Sequence, residues 1–367
     1  MNAAYLGKPC DQSANFEHML RSAGLSLSVL ADSSIGSNRA RSTGSRHLRK
    51  TWSRVSRLRH QVSGDAPSEY LSAVLRKLDE DQIDCIVGFW GTNVLGDLVA
   101  IKRARPRVRA YLNVLCHPTA LSAMKIAAQN WLFRKHVRHC DGLLVSSRVM
   151  QSYLQENVLR GADVPCLVWP PYLAGAYHPL QRMPDCAQTP NVLFMGRMDW
   201  WRGQPSDNVT SLLRKLMDCG THVFHHASPR DITPHAHRHT FDYKPLQEAV
   251  EYATQFDASL LAYNLAECER TDRFSVTIPD RLVASVAAGI PIALPDTGYE
   301  ACREYLRDYE AVILFNSPES LAEQLRDRAR LAELKILARR NSARYFAEQH
   351  LESLTQFIGA DELTAVS

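Results

Sequence analysis

Two stretches of the chain gather residue types suited to an anionic ligand. In NVLFMGRMDWWRG, Asn191 to Gly203, an apolar strand Val192 to Met195 breaks at Gly196, and Arg197 and Arg202 follow around a tight loop ahead of a helix expected over Asp207 to Cys219. Two guanidiniums near a helix N-terminus match the charge of a diphosphate and offer several fixed donors. Each would contribute on the order of 1.5 to 3 kcal/mol of charge-assisted hydrogen bonding. Trp200 and Trp201 suit a platform for a sugar or a base, or equally a hydrophobic lip. In PDRLVASVAAGIPIALP, Pro279 to Pro295, Arg281 stands behind Pro279 at the entrance of a short helix with the apolar stripe Leu282, Val283, Val286 and Ala287. That helix stops at Gly289 and Ile290 to Leu294 reads as a buried strand, so a helix start and a glycine-rich turn face one cleft.

Further candidates stand where predicted strands end. His117 follows the strand Ala110 to Leu115, a place where α/β folds gather ligand residues, and is either a loop and packing residue or a general base. Gly7 and Lys8 close the strand Ala3 to Leu6, and Trp90 opens the loop after the strand Cys85 to Phe89. His225, His226, His235, His237 and His239 invite a metal reading, but their spacing lacks the partners of metal sites, and no metal is expected. Asp79-Glu80-Asp81 ends a helix and reads as a solvated helix end. There is no Walker loop, no GxSxG and no dinucleotide fingerprint, so hydrolase and dehydrogenase functions lose their usual support.

The two arginine-bearing stretches also carry a family resemblance. GRMDWWRG has the spacing of the G-R-x4-K-G turn of GT-B glycosyltransferases, particularly the family 4 type ("group 1") enzymes, with Arg202 in the lysine position. PDRLVASVAAGIP resembles the P-x-K-x2-E-x2-A-x-G-x-P form of their donor motif, with Arg281 for lysine. The likeness is clearest from about Asn191 to Leu325. It implies a metal-independent transferase without a cofactor, the nucleotide-sugar being a substrate, and a glycan or lipid-linked acceptor. By the same resemblance Gly196, Arg197, Arg202, Pro279 and Arg281 meet the donor diphosphate, His117 touches the transferred sugar, and Gly7, Lys8 and Trp90 lie on the acceptor side. A retaining enzyme needs no protein nucleophile, whereas an inverting one needs a base such as Asp11, Asp97 or His117. The chain departs from the family at Ala284 and Val276, where such enzymes carry the acids that hold ribose and sugar hydroxyls; Asp272 and Glu269 stand close enough in sequence to substitute. A non-catalytic GT-B-like scaffold is the alternative.

The elements that position these residues alternate. Strands Ala3 to Leu6, Leu25 to Val29, Cys85 to Phe89, Ala110 to Leu115, Gly142 to Val145 and Cys166 to Trp169 are separated by helices, as are Val192 to Met195, Thr221 to Phe224, Ala258 to Leu261 and Ala311 to Phe315. That is an α/β chain with parallel sheets, arranged as two facing Rossmann-like domains of GT-B type. An acceptor domain over 1–180, a donor domain over 190–340 and a final helical piece over 341–367 packing back toward the first domain are expected, with the linker at Leu180 to Pro190. Terminal helical segments are predicted over Pro318 to Leu337 and Asn341 to Ile358.

At 367 residues, 45% hydrophobic and 22% charged, the composition is that of a globular chain with two cores. The nine cysteines are scattered and never form CxxC, as reduced thiols do. No apolar run is long enough to span a membrane and no signal-peptide stretch is read at the start, which predicts a cytoplasmic protein. Net charge is only +4, but Arg39 to His60 carries eight arginines and lysines and no acid, with Leu48, Trp52, Val55, Leu58 and Val62 at helical spacing. A basic amphipathic helix there would rest on an anionic membrane or pack on the core. Nucleic acid is not an expected partner, because no aromatic stacking surface accompanies these arginines.

Overall fold

The computed structural model describes residues 1–7, 10–31, 63–64, 68–89, 94–179, 186, 188–198, 204–227 and 234–359. Lys8, Trp90, Trp200, Trp201, Arg202 and the basic stretch 39–62 lie outside them. The chain forms two compact units, one of Met1–Ala120, Met124–Pro170 and His350–Ser367, the other of Leu121–Ala123 and Pro171–Gln349.

The first unit is built on β1 (Asn2–Gly7), β2 (Ser26–Ala31), β3 (Cys85–Phe89), β4 (Arg109–Val114), β5 (Gly142–Val145) and β6 (Cys166–Val168), a parallel sheet in the order β2-β1-β3-β4-β5-β6. All five residues of β3 are buried, as expected of a strand covered on both faces. The helices are α1 (Asp11–Ser22), α2 (Ser68–Glu80), α3 (Leu95–Ala104), α4 (Ala123–Val137) and α5 (Arg148–Leu154). Ser147 caps α5 by accepting the Met150 amide at 3.0 Å. Helix α1 starts at Asp11 because Cys10 is extended and Ser13 closes a capping box with it.

The second unit holds β7 (Asn191–Phe194), α6 (Thr210–Asp218), β8 (His222–His226), β9 (Arg238–Phe241), α7 (Leu246–Ala253), β10 (Ala258–Leu260), α8 (Asp272–Val276), α9 (Asp280–Ala287), β11 (Ile292–Pro295), α10 (Glu300–Tyr305), β12 (Val312–Phe315), α11 (Pro318–Arg326) and α12 (Arg328–Ser342). Its parallel sheet runs β12-β11-β10-β7-β8-β9. Helix α9 is buried all round from Leu282 to Ala287, so it is a core helix and not a surface helix with one apolar stripe. It ends where sequence placed its end. Gly289 has φ +69° and the Ile290 amide returns to the Ser285 carbonyl, the Schellman closure that favours glycine.

Three predicted spans differ. The helix before β8 begins at Thr210, with a short 3₁₀ turn at Pro205–Asp207, since no side chain caps an earlier start. The segment expected over Pro318 to Leu337 is two helices, because the Asp327 carboxylate accepts the Arg330 amide and starts α12 afresh. The last predicted helix shrinks to α13 (Leu351–Phe357). It belongs to the first unit, where the Phe357 ring lies 5.6 Å from Tyr111 of β4 and leaves no room for a side chain at Gly142.

Candidate functional site

In the second sheet β7 connects forward to β8 on one side, while β10 lies on its other side. Connections that leave a strand pair in opposite directions open a crevice at the carboxyl ends, where α/β folds take ligands. Strand β7 ends at Phe194 and runs on to Gly196; β10 ends at Leu260 and runs on to Ala262 and Tyr263. Into this place the first turn of α9 sends Arg281. Its Nη2 donates to the Ala262 carbonyl at 2.9 Å, and its guanidinium carbon lies 4.3 Å from the Tyr263 ring centre and 5.2 Å from that of Phe194. The Arg281 Nε is buried with no hydrogen-bond partner among the described residues. A buried guanidinium donor left unmet costs about 1 to 3 kcal/mol, which an anionic ligand would recover.

Gly196 is there because the Phe194 ring, and after it the arginine, leave no room for a side chain. A Cβ on it would stand 2.5 Å from Arg281 Nη1 and would run into the Phe194 ring. The glycine of one sequence motif and the arginine of the other, 85 positions apart in numbering, therefore meet in space. Arg273 of α8 adds a second guanidinium, held by Gln204 Oε1 and lying 5.8 Å from the Phe274 ring centre. The loop after β7 is tied to the loop after β10 by the Asn264 amide donating to the Ser206 carbonyl at 2.7 Å. The Tyr263 amide donates to the buried Tyr299 hydroxyl at 2.8 Å, and burial raises the Tyr263 phenol's pKa, so the ring faces Arg281 as a neutral aromatic. Pro279, extended, precedes α9, and no side chain caps the helix. Arg197 is exposed beside Gly196.

The acids weighed as substitutes are otherwise engaged. Asp272 makes a two-point pair with Arg270, both bonds 2.8 Å, which holds its carboxyl below the usual range. Glu269 Oε1 accepts the Ala123 amide at 3.1 Å. Ala284 and Val276 are buried aliphatic positions. Arg273, Phe194 and Tyr263 were not singled out in the sequence, because the signals there were the acids Asp272 and Glu269 and the two arginine motifs, and only the fold brings these three residues to Arg281.

The first unit has its own switch point, between β1 and β3. Gly7 pairs with Phe89 across it, and a Cβ at Gly7 would stand 2.6 Å from the Phe89 carbonyl oxygen. The glycine is thus required by strand packing. Asp11 is exposed in the first turn of α1, where the helix dipole favours an acid, and Asp97 is buried in α3. His117 is only 1% exposed, bonds Asn130 Oδ1 through Nε2 at 2.8 Å, and meets Phe133 edge-on at 5.0 Å. Burial pushes its pKa down to about 4, so it is neutral at pH 7.

His225 and His226 fall on β8 and His239 on the edge strand β9, with His235 and His237 in the turn before β9, and His222 Nδ1 of β8 lies 2.8 Å from His239 Nε2. Edge strand β9 was missed in the sequence because Arg-His-Thr-Phe has no apolar alternation to mark it. Among the described residues, no group of three or more His, Cys, Asp or Glu is placed to hold a metal ion. Asp79 pairs with Arg105 at 2.6 Å, and Asp81 bonds Lys77 and Ser28.

Compared with solved structures, the whole chain superposes on the whole of a sucrose-phosphate synthase from Thermosynechococcus elongatus with a TM-score of 0.65 at 10% identity. The chain has the GT-B fold. Anabaena Alr3699/HepE, solved in complex with UDP, matches 98% of this chain and 100% of its own with a TM-score of 0.58 at 11% identity. The spinosyn forosaminyltransferase SpnP matches 98% and 99% at a TM-score of 0.54 and 13% identity. No family model matches the sequence. No curated protein matches it either.

Proposed function

We propose that this GT-B chain is a glycosyltransferase that moves a sugar from a nucleotide-sugar donor to an acceptor, with the donor diphosphate held at Arg281 in the second unit. The observation that carries this is the Arg281 guanidinium at the switch point of the second sheet, packed on Gly196, with an unmet Nε. Arg197, and Arg202 by its sequence spacing, would complete the cationic surround. These cations stabilise charge on the departing diphosphate, work that a bound metal does in other transferases. Neighbours of the same fold include one solved with UDP, which supports a uridine or related diphosphate as the first ligand to try. The family 4 type, a lipid-linked or polysaccharide-precursor acceptor met by the first unit, and a cytoplasmic, peripheral location through residues 39–62 belong to the same reading and rest on sequence.

Calorimetric titration tests it. Nucleoside diphosphates should bind, and Arg281→Gln should weaken the diphosphate by roughly tenfold to a hundredfold while hardly changing the nucleoside, since a charge-assisted hydrogen bond contributes about 1.5 to 3 kcal/mol. Equal losses for nucleoside and diphosphate would remove Arg281 from the phosphate site.

One observation favours a second reading, a GT-B-like scaffold without turnover. The family's acid positions are the buried Ala284 and Val276, and both nearby acids are engaged elsewhere. Diphosphate binding with no sugar released from UDP-, GDP-, ADP- or dTDP-sugars, with or without acceptor, would establish that reading over the first.

A further inference from the structure

Helix α4 shows two opposite faces. Ile126, Asn130, Phe133 and Val137 are buried, whereas the face half a turn away carries Met124, Ala128, Trp131, Lys135 and Arg138 into solvent. Met124 is 78% exposed and Trp131 53%. Residues 124, 128, 131, 135 and 138 recur at intervals of three and four, so one stripe begins apolar and ends cationic. Lys125 flanks it, and the Lys135 ammonium lies 5.7 Å from the Trp131 ring centre.

The sequence around the stripe is of one sign. From Leu98 to Cys140 the chain has nine lysines and arginines and no acidic residue. Arg103 and Arg138 both stand close enough to His139 to depress its pKa, after the larger effect of burial, so the cations of α3 and α4 converge at the end of the stripe. Gly64, the last described residue after the basic stretch 39–62, is placed against His136 of α4. Like charge disfavours a second copy laid face to face. A tryptophan and a methionine backed by cations, with no acid on the stripe itself, match a bilayer interface, where the indole sits among headgroups and the cations meet anionic lipid.

We infer that the solvent face of α4, Met124 through Trp131 to Arg138, docks the first unit onto an anionic lipid surface. The inference is independent of whether a sugar is transferred. Flotation of the full chain with phosphatidylcholine vesicles, with and without phosphatidylglycerol, tests it. Binding should need the anionic lipid and fall at high salt, where the Debye length shortens. Trp131→Ser should weaken it, and Lys135→Glu with Arg138→Glu should weaken it by roughly fivefold per charge removed, given about 1 kcal/mol for each cation near the surface. Brominated lipid should quench the wild-type fluorescence more than that of Trp131→Phe, a variant that keeps an aromatic ring and the fold. Absence of binding to anionic vesicles overturns the inference. So does binding undiminished in both sets of variants, which would assign it to residues 39–62. Concentration-dependent self-association abolished by Trp131→Ser, or binding to heparin and RNA with none to vesicles, would assign the face to a second copy or to nucleic acid and overturn it equally.

Discussion

Arg281 and Gly196 are packed together, because the Phe194 ring and the guanidinium share the space a side chain at 196 would take. Gly196→Ala should therefore copy Arg281→Gln in diphosphate titration, and should also cost about 1 to 3 kcal/mol of stability, since Phe194 must give way in a packed strand end. Normal diphosphate affinity in Gly196→Ala would show that the arginine's position is not what holds phosphate. His117 makes a prediction of opposite kind. Its folded pKa of about 4 lies below the ordinary 6.5, so the unfolded chain binds a proton that the folded chain refuses between those values. Stability is full above pH 6.5 and falls as the pH drops toward 4, by on the order of 3 kcal/mol from this group. Chemical denaturation of wild type and His117→Gln at pH 7 and pH 4 checks it: the substitution should cost more at pH 7 than at pH 4. A difference that does not change with pH would mean that His117 titrates freely and is open to solvent.

At the scale of elements, the second sheet is anchored at the end opposite its crevice. Asp257, just ahead of β10, accepts Lys335 Nζ of α12 at 3.1 Å and the Asn191 amide, where β7 begins, at 3.0 Å; Asp257 and Lys335 are both buried. Breaking a buried pair from one side costs about 3 to 5 kcal/mol when the charge left behind has no other partner; Arg328 Nη1, 3.9 Å from Asp257 Oδ2, offsets part of that loss here. Lys335→Met should show that loss in urea unfolding, Lys335→Met with Asp257→Asn should recover part of it, and neither should alter diphosphate affinity of the folded protein. A double variant as unstable as the sum of the singles would deny the coupling. The same elements show what could be read from sequence. Strands β3, β7 and β10 were legible because covered parallel strands are continuous apolar runs, and the end of α9 was legible because Gly289 supplies a left-handed closure. Strand β9, helix α8 and the break at Asp327 were not, since each depends on neighbours or a local cap and not on periodicity. In the site the motif residues Gly196 and Arg281 were legible, whereas Tyr263, Phe194 and Arg273 come together only through the β7-β10 pairing.

For the whole molecule, the proposed sites fall on separate units. The first unit contributes its sheet before residue 170 and its last helix after 350, and the second unit is the long insertion between them, closed by its own sheet and by α12. The residues proposed to hold a diphosphate, from Gly196 through Tyr263 and Arg273 to Arg281, belong to that insertion, while the exposed stripe of α4 belongs to the first unit. A ligand that binds only the native state stabilises by mass action, by about 2.7 kcal/mol at a hundred times its dissociation constant. Local opening of the liganded segments is suppressed by the same coupling, which amide hydrogen exchange reads segment by segment. With UDP present, protection should rise in the turns 195–198 and 261–264 and in the first turn of α9, and should leave β1 to β6 unchanged away from any acceptor. Protection confined to the first unit, or a uniform rise across both, would show that the diphosphate is not held at the switch point of the second sheet, whatever reaction the protein goes on to catalyse.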